Sequence, residues 1–338
     1  MSPNSQYSTP DPEWAAIVSV APAREVPKDP EVVRAAIRDL FIEPGKKNLE
    51  PQLPDASTYS VADYTVPHDD GATSRIRVIT PAPKGRDSVA CIAWIYGGGF
   101  IGGNIEYDDY RMRIISGRFH VAAVLLEYRL APEHPFPTSA YDGLKWMAEN
   151  APTLGMDLAK GFILGGTSAG GNIAASLAHR VQQDALFEGK RLTGSILTVP
   201  TLLHPLGYPE EFRDDLQSIN MPEGRQWTIV NGPMIKEMFV ETLQAPPTDP
   251  EASPLLYPNR AVLPPTYLQI AGLDPLRDEG ILYERLIREA GVKTRISIYP
   301  GVPHGFHLPA PQLIASKKLE EDLREGVAWL LGLHAHVQ

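Results

Sequence analysis

Residues 166–170 carry the clearest chemical signal in the chain, because they read Gly-Thr-Ser-Ala-Gly and place a serine between two glycines. The apolar run 162–164 precedes them, and the helix-like run 172–178 follows. Glycine suits a strand-to-helix turn that is too tight for a Cβ atom, and such a turn lifts the serine oxygen clear of the sheet. The spacing therefore predicts that Ser168 is a nucleophile.

The chain also supplies an acid and a base in the order that this kind of nucleophile requires. A serine is activated by a histidine, and the histidine is oriented by a carboxylate that comes between the two in the chain. Asp274 follows the apolar run 266–270, and His304 follows the run 295–299. Both side chains are therefore predicted at the carboxyl ends of strands, with Asp274 as the acid and His304 as the base.

Three neighbouring residues are alternatives for these two roles. Asp278 and Glu279 compete with Asp274, but they fall about one turn into the next predicted helix, where an acidic residue also serves as a cap. His307 competes with His304. Glycines three residues before and one residue after His304 fit a turn that presents a side chain, and they favour that histidine.

Three consecutive glycines are suited to stabilise the negative charge that develops on a substrate oxygen. Gly97, Gly98 and Gly99 follow an apolar run that ends at Ile95, and glycine lets a carbonyl group approach the backbone N–H groups closely. The N–H of Ala169, directly after the serine, adds a further donor. A phosphate-binding loop would need Lys-Ser or Lys-Thr after the glycines, and neither follows them. We therefore predict an oxyanion hole.

The composition is that of an ordinary globular protein, with 338 residues of which 43% are hydrophobic and 21% charged. A net charge of −10 argues against a nucleic acid or an anionic membrane as a partner. Cys91, the single cysteine, lies in an apolar run, so we expect a buried, inert thiol and no intrachain disulfide. No signal-peptide pattern and no apolar stretch near 18 residues is visible, so a cytoplasmic protein is expected. We predict no metal and no cofactor.

Short apolar strands alternate with helices from residue 88 onwards, which indicates an α/β fold with a mostly parallel sheet covered on both faces. Ligands of such sheets bind outside the carboxyl ends of the strands. The predicted strands are residues 88–95, 120–128, 161–165, 193–199, 265–271 and 294–299, preceded by a hairpin of residues 59–66 and 74–80. The predicted helices are residues 107–118, 138–150, 171–187, 278–291 and 317–332.

Two regions depart from this alternation. The N-terminal residues contain one clear helix, which Asp29 caps and Pro30 starts. About 65 residues separate the strands at 193–199 and 265–271, and an insert of that length suggests a cap over the site. We predict an N-terminal cap segment at residues 1–55, a catalytic domain at 56–202 and 258–338, and a cap insertion at 203–257.

Five motifs in this order resemble those of the hormone-sensitive-lipase-like branch of the α/β-hydrolases. The resemblance spans about residues 60–330 and implies the α/β-hydrolase fold, with a mostly parallel central sheet flanked by helices and a helical cap. It also implies carboxylesterase chemistry on small to medium acyl esters. The motifs are Tyr-Gly-Gly-Gly at 96–99, Tyr-Arg-Leu-Ala-Pro-Glu-His-Pro-Phe-Pro at 128–137, Gly-Thr-Ser-Ala-Gly-Gly-Asn at 166–172, Asp-Pro-Leu-Arg-Asp-Glu-Gly at 274–280 and His-Gly-Phe at 304–306.

Tyr96 is a departure from this family, which usually begins its glycine loop with histidine. Residues 95–100 are instead similar to the same loop in cholinesterase-type carboxylesterases. The oxyanion donors are backbone groups, so the change bears on pocket shape and substrate preference rather than on the donors. The predicted pocket residues are aromatic side chains of the loop and the insert, namely Tyr96, Phe100, Trp227 and Phe239.

The leading functional hypothesis is a serine carboxylic-ester hydrolase that acts through an acyl-enzyme on small to medium or bulky metabolite esters. A second is a biosynthetic enzyme that uses the same residues for acyl transfer, thioester release or cyclisation. A third is a ligand-binding receptor on an inactive hydrolase fold, which the intact Ser168 and His304 disfavour. The expected partner is a small-molecule ester or acyl compound, and an exposed edge at 294–299 would allow a homodimer.

Overall fold

The computed structural model describes residues 3–19, 29–68, 70–83, 87–136, 140–221 and 230–333. Eight strands form one sheet within these ranges, and its strands appear in the order β1-β2-β4-β3-β5-β6-β7-β8 once they are numbered along the chain. The strands are β1 Tyr59–Pro67, β2 Thr73–Pro81, β3 Cys91–Ile95, β4 Ala122–Leu126, β5 Phe162–Thr167, β6 Gly194–Thr198, β7 Thr266–Ala271 and β8 Thr294–Tyr299.

The sheet confirms the predicted α/β class. β2 pairs antiparallel with β1 and with β4, whereas the pairs from β4 to β8 are all parallel. The predicted hairpin and the six later strands agree with the observed strands to within three residues at each end. Every residue of β3 to β7 is buried, which explains why these strands are continuous apolar runs rather than alternating ones.

The register of the parallel strands brings their carboxyl ends together at one edge of the sheet. Ile95 of β3 lies opposite Gly166 of β5, and Thr167 of β5 lies opposite Thr198 of β6. Ala271 of β7 lies opposite Tyr299 of β8. The loops that leave β3, β5, β7 and β8 therefore start from the same edge, which is where parallel sheets bind ligands.

Nine α-helices are described in these ranges, and the five predicted after residue 100 are among them. The α6 helix starts directly after Ser168, and its residues contact β3, β5 and β6. The helices are α1 Pro12–Ser19, α2 Pro30–Ile37, α3 Glu43–Leu49, α4 Asp109–Phe119, α5 Tyr141–Asn150, α6 Ala169–Gln183, α7 Gly232–Glu237, α8 Arg277–Glu289 and α9 Ile314–Leu330.

The N-terminal helix starts as predicted but continues further. The Asp29 carboxylate accepts hydrogen bonds from the N–H groups of Glu31 and Val32, and Pro30 is the first residue of α2. A π-helical turn at Arg38–Ile42 then joins α2 to α3. The helical periodicity of the sequence did not indicate this turn, because a π-turn changes the register by one residue without a distinctive residue type.

The insert between β6 and β7 is mostly irregular in its described part. It contains α7, the π-helical turn Met238–Thr242 and several 3-10 turns. The division into a cap and a catalytic domain stays a prediction. No helix among the described residues is long and apolar enough to span a membrane.

Two clusters of buried side chains form the core. The larger one surrounds the sheet and includes Cys91, and burial raises the pKa of that thiol. The smaller cluster lies near the ends of β7 and β8, where Trp14 packs with Val302 and Phe306. An N-terminal side chain therefore belongs to the packing around the two loops that follow these strands.

Candidate active site

The turn after β5 presents Ser168 in a strained backbone conformation. Its φ and ψ angles are 55° and −117°, a combination that a residue other than glycine seldom adopts. The Ser168 N–H donates to the carbonyl oxygen of Thr198 at 2.9 Å, and its own carbonyl accepts from Asn172 N–H at 3.0 Å. These bonds hold the turn between β6 and the first turn of α6, as the sequence pattern predicts.

The glycines around Ser168 are required by close backbone contacts. A Cβ atom on Gly166 would overlap the carbonyl of Gly170, and one on Gly170 would overlap the carbonyls of Ile95 and Tyr96. A backbone carbonyl cannot rotate away as a side chain can. The Gly-Thr-Ser-Ala-Gly spacing is therefore a packing requirement of the turn.

His304 is hydrogen-bonded to both of the residues predicted to work with it. Its Nδ1 lies 2.7 Å from Asp274 Oδ2, and its Nε2 lies 2.8 Å from Ser168 Oγ. An Nδ1–H that donates to the carboxylate leaves Nε2 free to accept from the serine hydroxyl. Asp274 and His304 are buried, and the other Asp274 oxygen accepts from Leu276 N–H at 2.9 Å.

The alternative acids occupy other positions. Asp278 Oδ2 accepts from the backbone N–H groups of Gln217 and Ser218 at 2.9 and 2.7 Å. Glu279 Oε1 accepts from Leu202 N–H at 2.6 Å, and burial raises the pKa of this carboxyl well above its ordinary range. The carboxylate found hydrogen-bonded to His304 is that of Asp274.

The alternative base, His307, is a buried neutral side chain. Neither of its ring nitrogens has a hydrogen-bond partner among the described residues. Burial, with smaller contributions from the charges of Arg111 and His304, lowers its pKa well below the ordinary value. The ring lies edge-on to Phe306 and contributes to packing behind the site.

The glycine loop lies directly beside the nucleophile. A Cβ on Gly97 would lie 3.4 Å from Ser168 Cβ, which places the two backbones in contact. Gly98 and Gly99 adopt positive φ angles of 138° and 61°. Among the described residues, no acceptor is hydrogen-bonded to the N–H groups of Gly98, Gly99 or Ala169. These donors are thus available to a ligand oxygen near Ser168.

The predicted pocket residues that the structure describes have different surroundings. The Tyr96 ring is buried in the core and stacked on Tyr128 with the ring centres 4.6 Å apart. Phe100 and Phe239 contact each other edge-on, with the ring centres 6.0 Å apart, so the insert does meet the glycine loop. Trp227 lies outside the described residues.

Two further residues near the site were not singled out by sequence reasoning. The Met238 sulfur lies 3.3 Å from the position that a Cβ on Gly99 would occupy. His204 is buried against the Phe239 ring, and its Nδ1 accepts from Leu206 N–H at 3.0 Å. His204 follows β6 by six residues, and that position could have indicated it, whereas Met238 lies deep in the insert, where no periodicity points to the site.

A cavity of about 450 Å³ lies between the insert and the loop that carries Asp274. Its mouth includes Leu206, whose side chain is 56% exposed. Pro275 forms part of the wall, and Asp274 precedes that residue. The α7 helix lines another part, and the described lining includes neither Ser168 nor His304 nor the glycine loop. No group of three metal-ligating side chains is found in the described part of the chain.

Known proteins with similar sequences or structures share this architecture. A family model described as alpha/beta hydrolase fold matches residues 92–308. An AB hydrolase superfamily protein of Schizosaccharomyces pombe is 38% identical over 294 residues, which cover 85% of this chain and 84% of that protein. A versiconal hemiacetal acetate esterase of Dothistroma septosporum is 32% identical over 288 residues, or 84% of each chain.

A solved structure is also similar over nearly the whole chain. The crystal structure of a vibralactone cyclase matches with a TM-score of 0.91 and 37% sequence identity, and the match covers 97% of this chain and 96% of that one. The family match contains the elbow serine and the loops after β3, β7 and β8. The chain therefore belongs to the α/β-hydrolase family, in its hormone-sensitive-lipase-like branch, and is a serine hydrolase of the carboxylesterase type.

Proposed function

We propose that the protein hydrolyses carboxylic esters of metabolites through a Ser168–His304–Asp274 triad and an acyl-enzyme. The observation that supports the proposal is that His304 is hydrogen-bonded both to the Ser168 hydroxyl, at 2.8 Å, and to the Asp274 carboxylate, at 2.7 Å. This pairing provides a nucleophile, a proton acceptor and a group that stabilises the protonated imidazole.

In the first half-reaction, Ser168 Oγ attacks the ester carbonyl while His304 Nε2 takes the hydroxyl proton. The oxygen of the tetrahedral intermediate becomes negatively charged, and the N–H groups of Gly98, Gly99 and Ala169 stabilise it. The alcohol leaves with the proton that His304 returns, and the acyl group remains on Ser168.

In the second half-reaction, water attacks the acyl-enzyme. His304 accepts the proton of the attacking water and returns it to Ser168 Oγ, which releases the carboxylic acid. Asp274 stays ionised throughout and stabilises the imidazolium each time it forms. Gly97 shapes the loop that carries the first two donors.

The proposed substrates are small to medium or bulky esters. A cavity of about 450 Å³ lies in the range that small-molecule sites usually occupy. Leu206, Ile219 and Met221 on its wall suit an apolar acyl or alcohol group. Phe239 and Phe100 lie outside the lining of this cavity, where the insert meets the glycine loop, and we propose that they contact the part of the substrate nearest that loop.

The test removes the nucleophile. With Ser168→Ala we expect hydrolysis of p-nitrophenyl butyrate to fall by about 10⁴-fold or more. A fluorophosphonate probe should add once to the wild-type protein and leave Ser168→Ala unmodified, as read by intact mass and peptide mapping. Ser195→Ala is the matched control, because the hydroxyl of that buried serine near the start of β6 has no hydrogen-bond partner among the described residues. A Ser168→Ala protein with the wild-type rate contradicts the proposal.

A second candidate is cyclisation, which the similarity to a vibralactone cyclase favours. In this reaction a hydroxyl of the acyl group attacks its own ester on Ser168, His304 moves the proton, and a lactone leaves instead of an acid. Turnover of a hydroxyl-bearing ester in H₂¹⁸O distinguishes the two outcomes. Hydrolysis places ¹⁸O in the carboxylate product, whereas cyclisation gives a lactone without the label.

A further inference from the structure

Residues 4–14, which we call the N-terminal brace, contact both loops that carry the acid and the base. Gly301, in the loop before His304, donates its N–H to Tyr7 O at 2.9 Å and accepts from Asp11 N–H at 2.9 Å. These bonds form a short main-chain pairing between the brace and the His304 loop. A Cβ on Gly301 would overlap the brace backbone, so the contact is close-packed.

The brace reaches the Asp274 loop through a buried arginine. The Arg277 side chain has no exposed surface, and its Nη1 donates to Ser8 Oγ at 2.7 Å and to Gly272 O at 2.9 Å. Its Nε donates to Asp278 Oδ1 at 2.9 Å, and Asn4 Nδ2 donates to the same carboxylate oxygen at 2.9 Å. Arg277 therefore links the brace to a residue before Asp274, Gly272, and to a residue after it, Asp278.

The same hydroxyl of Ser8 also links the insert to this arrangement. Ser8 Oγ donates to the Met221 sulfur at 3.4 Å. The insert also contacts the Asp274 loop directly, because Ser218 Oγ donates to Pro275 O at 2.8 Å and accepts from Asp278 N–H at 3.0 Å. One serine of the brace thus lies between the acid loop and the cap insertion.

The two loops are linked directly by backbone hydrogen bonds and by the side-chain hydrogen bond between His304 and Asp274. Leu273 N–H donates to Val302 O at 2.9 Å, and Gly272 N–H donates to Tyr299 O at 2.8 Å. Both bonds lie on the strand side of Asp274 and His304, so they leave the outer parts of the loops to other contacts. The brace contacts both loops from one continuous segment, and its Trp14 packs in the cluster that holds Val302. Ser218 of the insert adds contacts to the Asp274 loop.

We propose that the N-terminal brace is a positioning element for the triad, and that Ser8 and Arg277 are positioning residues that keep Asp274 in hydrogen-bonding reach of His304. The proposal rests on the proposed function of the triad. A guanidinium that loses one buried acceptor moves towards the acceptors that remain. The acceptors of Arg277 include Gly272 O and Asp278 Oδ1, which flank Asp274, so a shift of the guanidinium displaces the loop that carries Asp274.

The test uses Ser8→Ala in the full-length protein. We expect kcat for p-nitrophenyl butyrate to fall by about ten-fold with KM within about two-fold, because displaced catalytic groups lower the rate more than the binding. Ser8→Thr keeps the hydroxyl and should restore the rate. Ser5→Ala is the matched control, because Ser5 is an exposed serine of the same segment whose side chain makes no hydrogen bond in the described structure.

A second readout does not depend on turnover. The low-field proton resonance of His304 Nδ1–H reports its hydrogen bond to Asp274, and Asp274→Asn serves to assign it. We expect this resonance to move upfield or broaden in Ser8→Ala and to be unchanged in Ser5→Ala. If Ser8→Ala lowers only the melting temperature and leaves this resonance and kcat unchanged, the brace is structural and the inference is wrong. A wild-type protein that neither hydrolyses esters nor reacts with a fluorophosphonate contradicts the proposed function instead. In that case the His304 Nδ1–H resonance of Ser8→Ala still tests whether the brace positions Asp274.

Discussion

Three carboxyl groups lie within six residues of one another at the start of α8, and their surroundings make them different chemically. Asp274 is hydrogen-bonded to His304. Asp278 accepts from backbone N–H groups and from Arg277. Glu279 is fully buried, and desolvation raises the pKa of its carboxyl well above the ordinary range. The contacts of each carboxyl, rather than its residue type, therefore favour Asp274 as the acid of the proposed triad.

Matched amide substitutions test this assignment. Asp274→Asn should lower kcat by about 10⁴-fold, because an amide no longer stabilises the imidazolium or holds the reactive tautomer. Glu279→Gln should keep kcat within about three-fold, since a neutral amide oxygen still accepts from Leu202 N–H. Steady-state kinetics on p-nitrophenyl butyrate measure both. Equal losses in the two variants would contradict the assignment of Asp274 as the acid.

At the scale of elements, the site depends on how closely β5 and α6 approach β3. The turn at Ser168 fits because the residues that face Ile95 and Tyr96 have no side chain. Elsewhere a glycine has room, as at Gly143 in α5, where an added Cβ would lie 3.4 Å from Ile76 Cγ2 and 3.5 Å from Leu126 Cδ2. These two kinds of glycine should respond oppositely to the same substitution.

Gly170→Ala should destabilise the protein by more than about 3 kcal/mol and abolish activity, because the new methyl group overlaps two backbone carbonyls. Gly143→Ala should stabilise it by about 0.5 kcal/mol, because alanine loses less backbone entropy than glycine in a helix. Urea denaturation measures both changes. A Gly170→Ala protein as stable and active as the wild type would show that the turn has room for a side chain.

At the scale of the whole molecule, burial of neutral histidines links stability to pH. The ring of His179 in α6 is buried against Tyr257, with the ring centres 4.0 Å apart. Burial, followed by the charge of Arg260, lowers its pKa from the ordinary 6.5 to about 4. Burial also lowers the pKa of His204 and of His307. These groups must take up protons when the chain unfolds in mild acid.

The sign of the effect follows from the lowered pKa. The stabilisation by neutral His179 is complete above pH 6.5 and is lost as the pH falls towards 4, because only the unfolded chain binds the proton in that window. At pH 5 this amounts to about 2 kcal/mol relative to pH 7.5. His179→Phe, which keeps an aromatic ring against Tyr257, should remove about that much of the acid sensitivity. The unfolding free energy at the two pH values measures it, and an unchanged difference would contradict the neutral buried state.

The fold and the meeting of Ser168, Asp274 and His304 could be predicted from the sequence because each has a local signature. Continuous apolar runs predicted the buried strands, and the order of Ser168, Asp274 and His304 after three of them predicted which side chains meet. The π-turn at Arg38–Ile42 has no such signature. Tyr96 was predicted to face the pocket, but residue type does not say on which side of a loop a ring packs, and in the structure it stacks on Tyr128.

The sequence by itself determined that Ser168, Asp274 and His304 each follow a strand, and loops after parallel strands must meet at one edge of the sheet. Only the tertiary structure decided which of several similar groups have which surroundings. It separated Asp274 from Asp278 and Glu279, and it brought Ser8 to Arg277 across 269 residues of chain. The physical reason is that periodicity and turn chemistry are local, whereas burial and hydrogen-bond partners depend on segments that are distant in the chain.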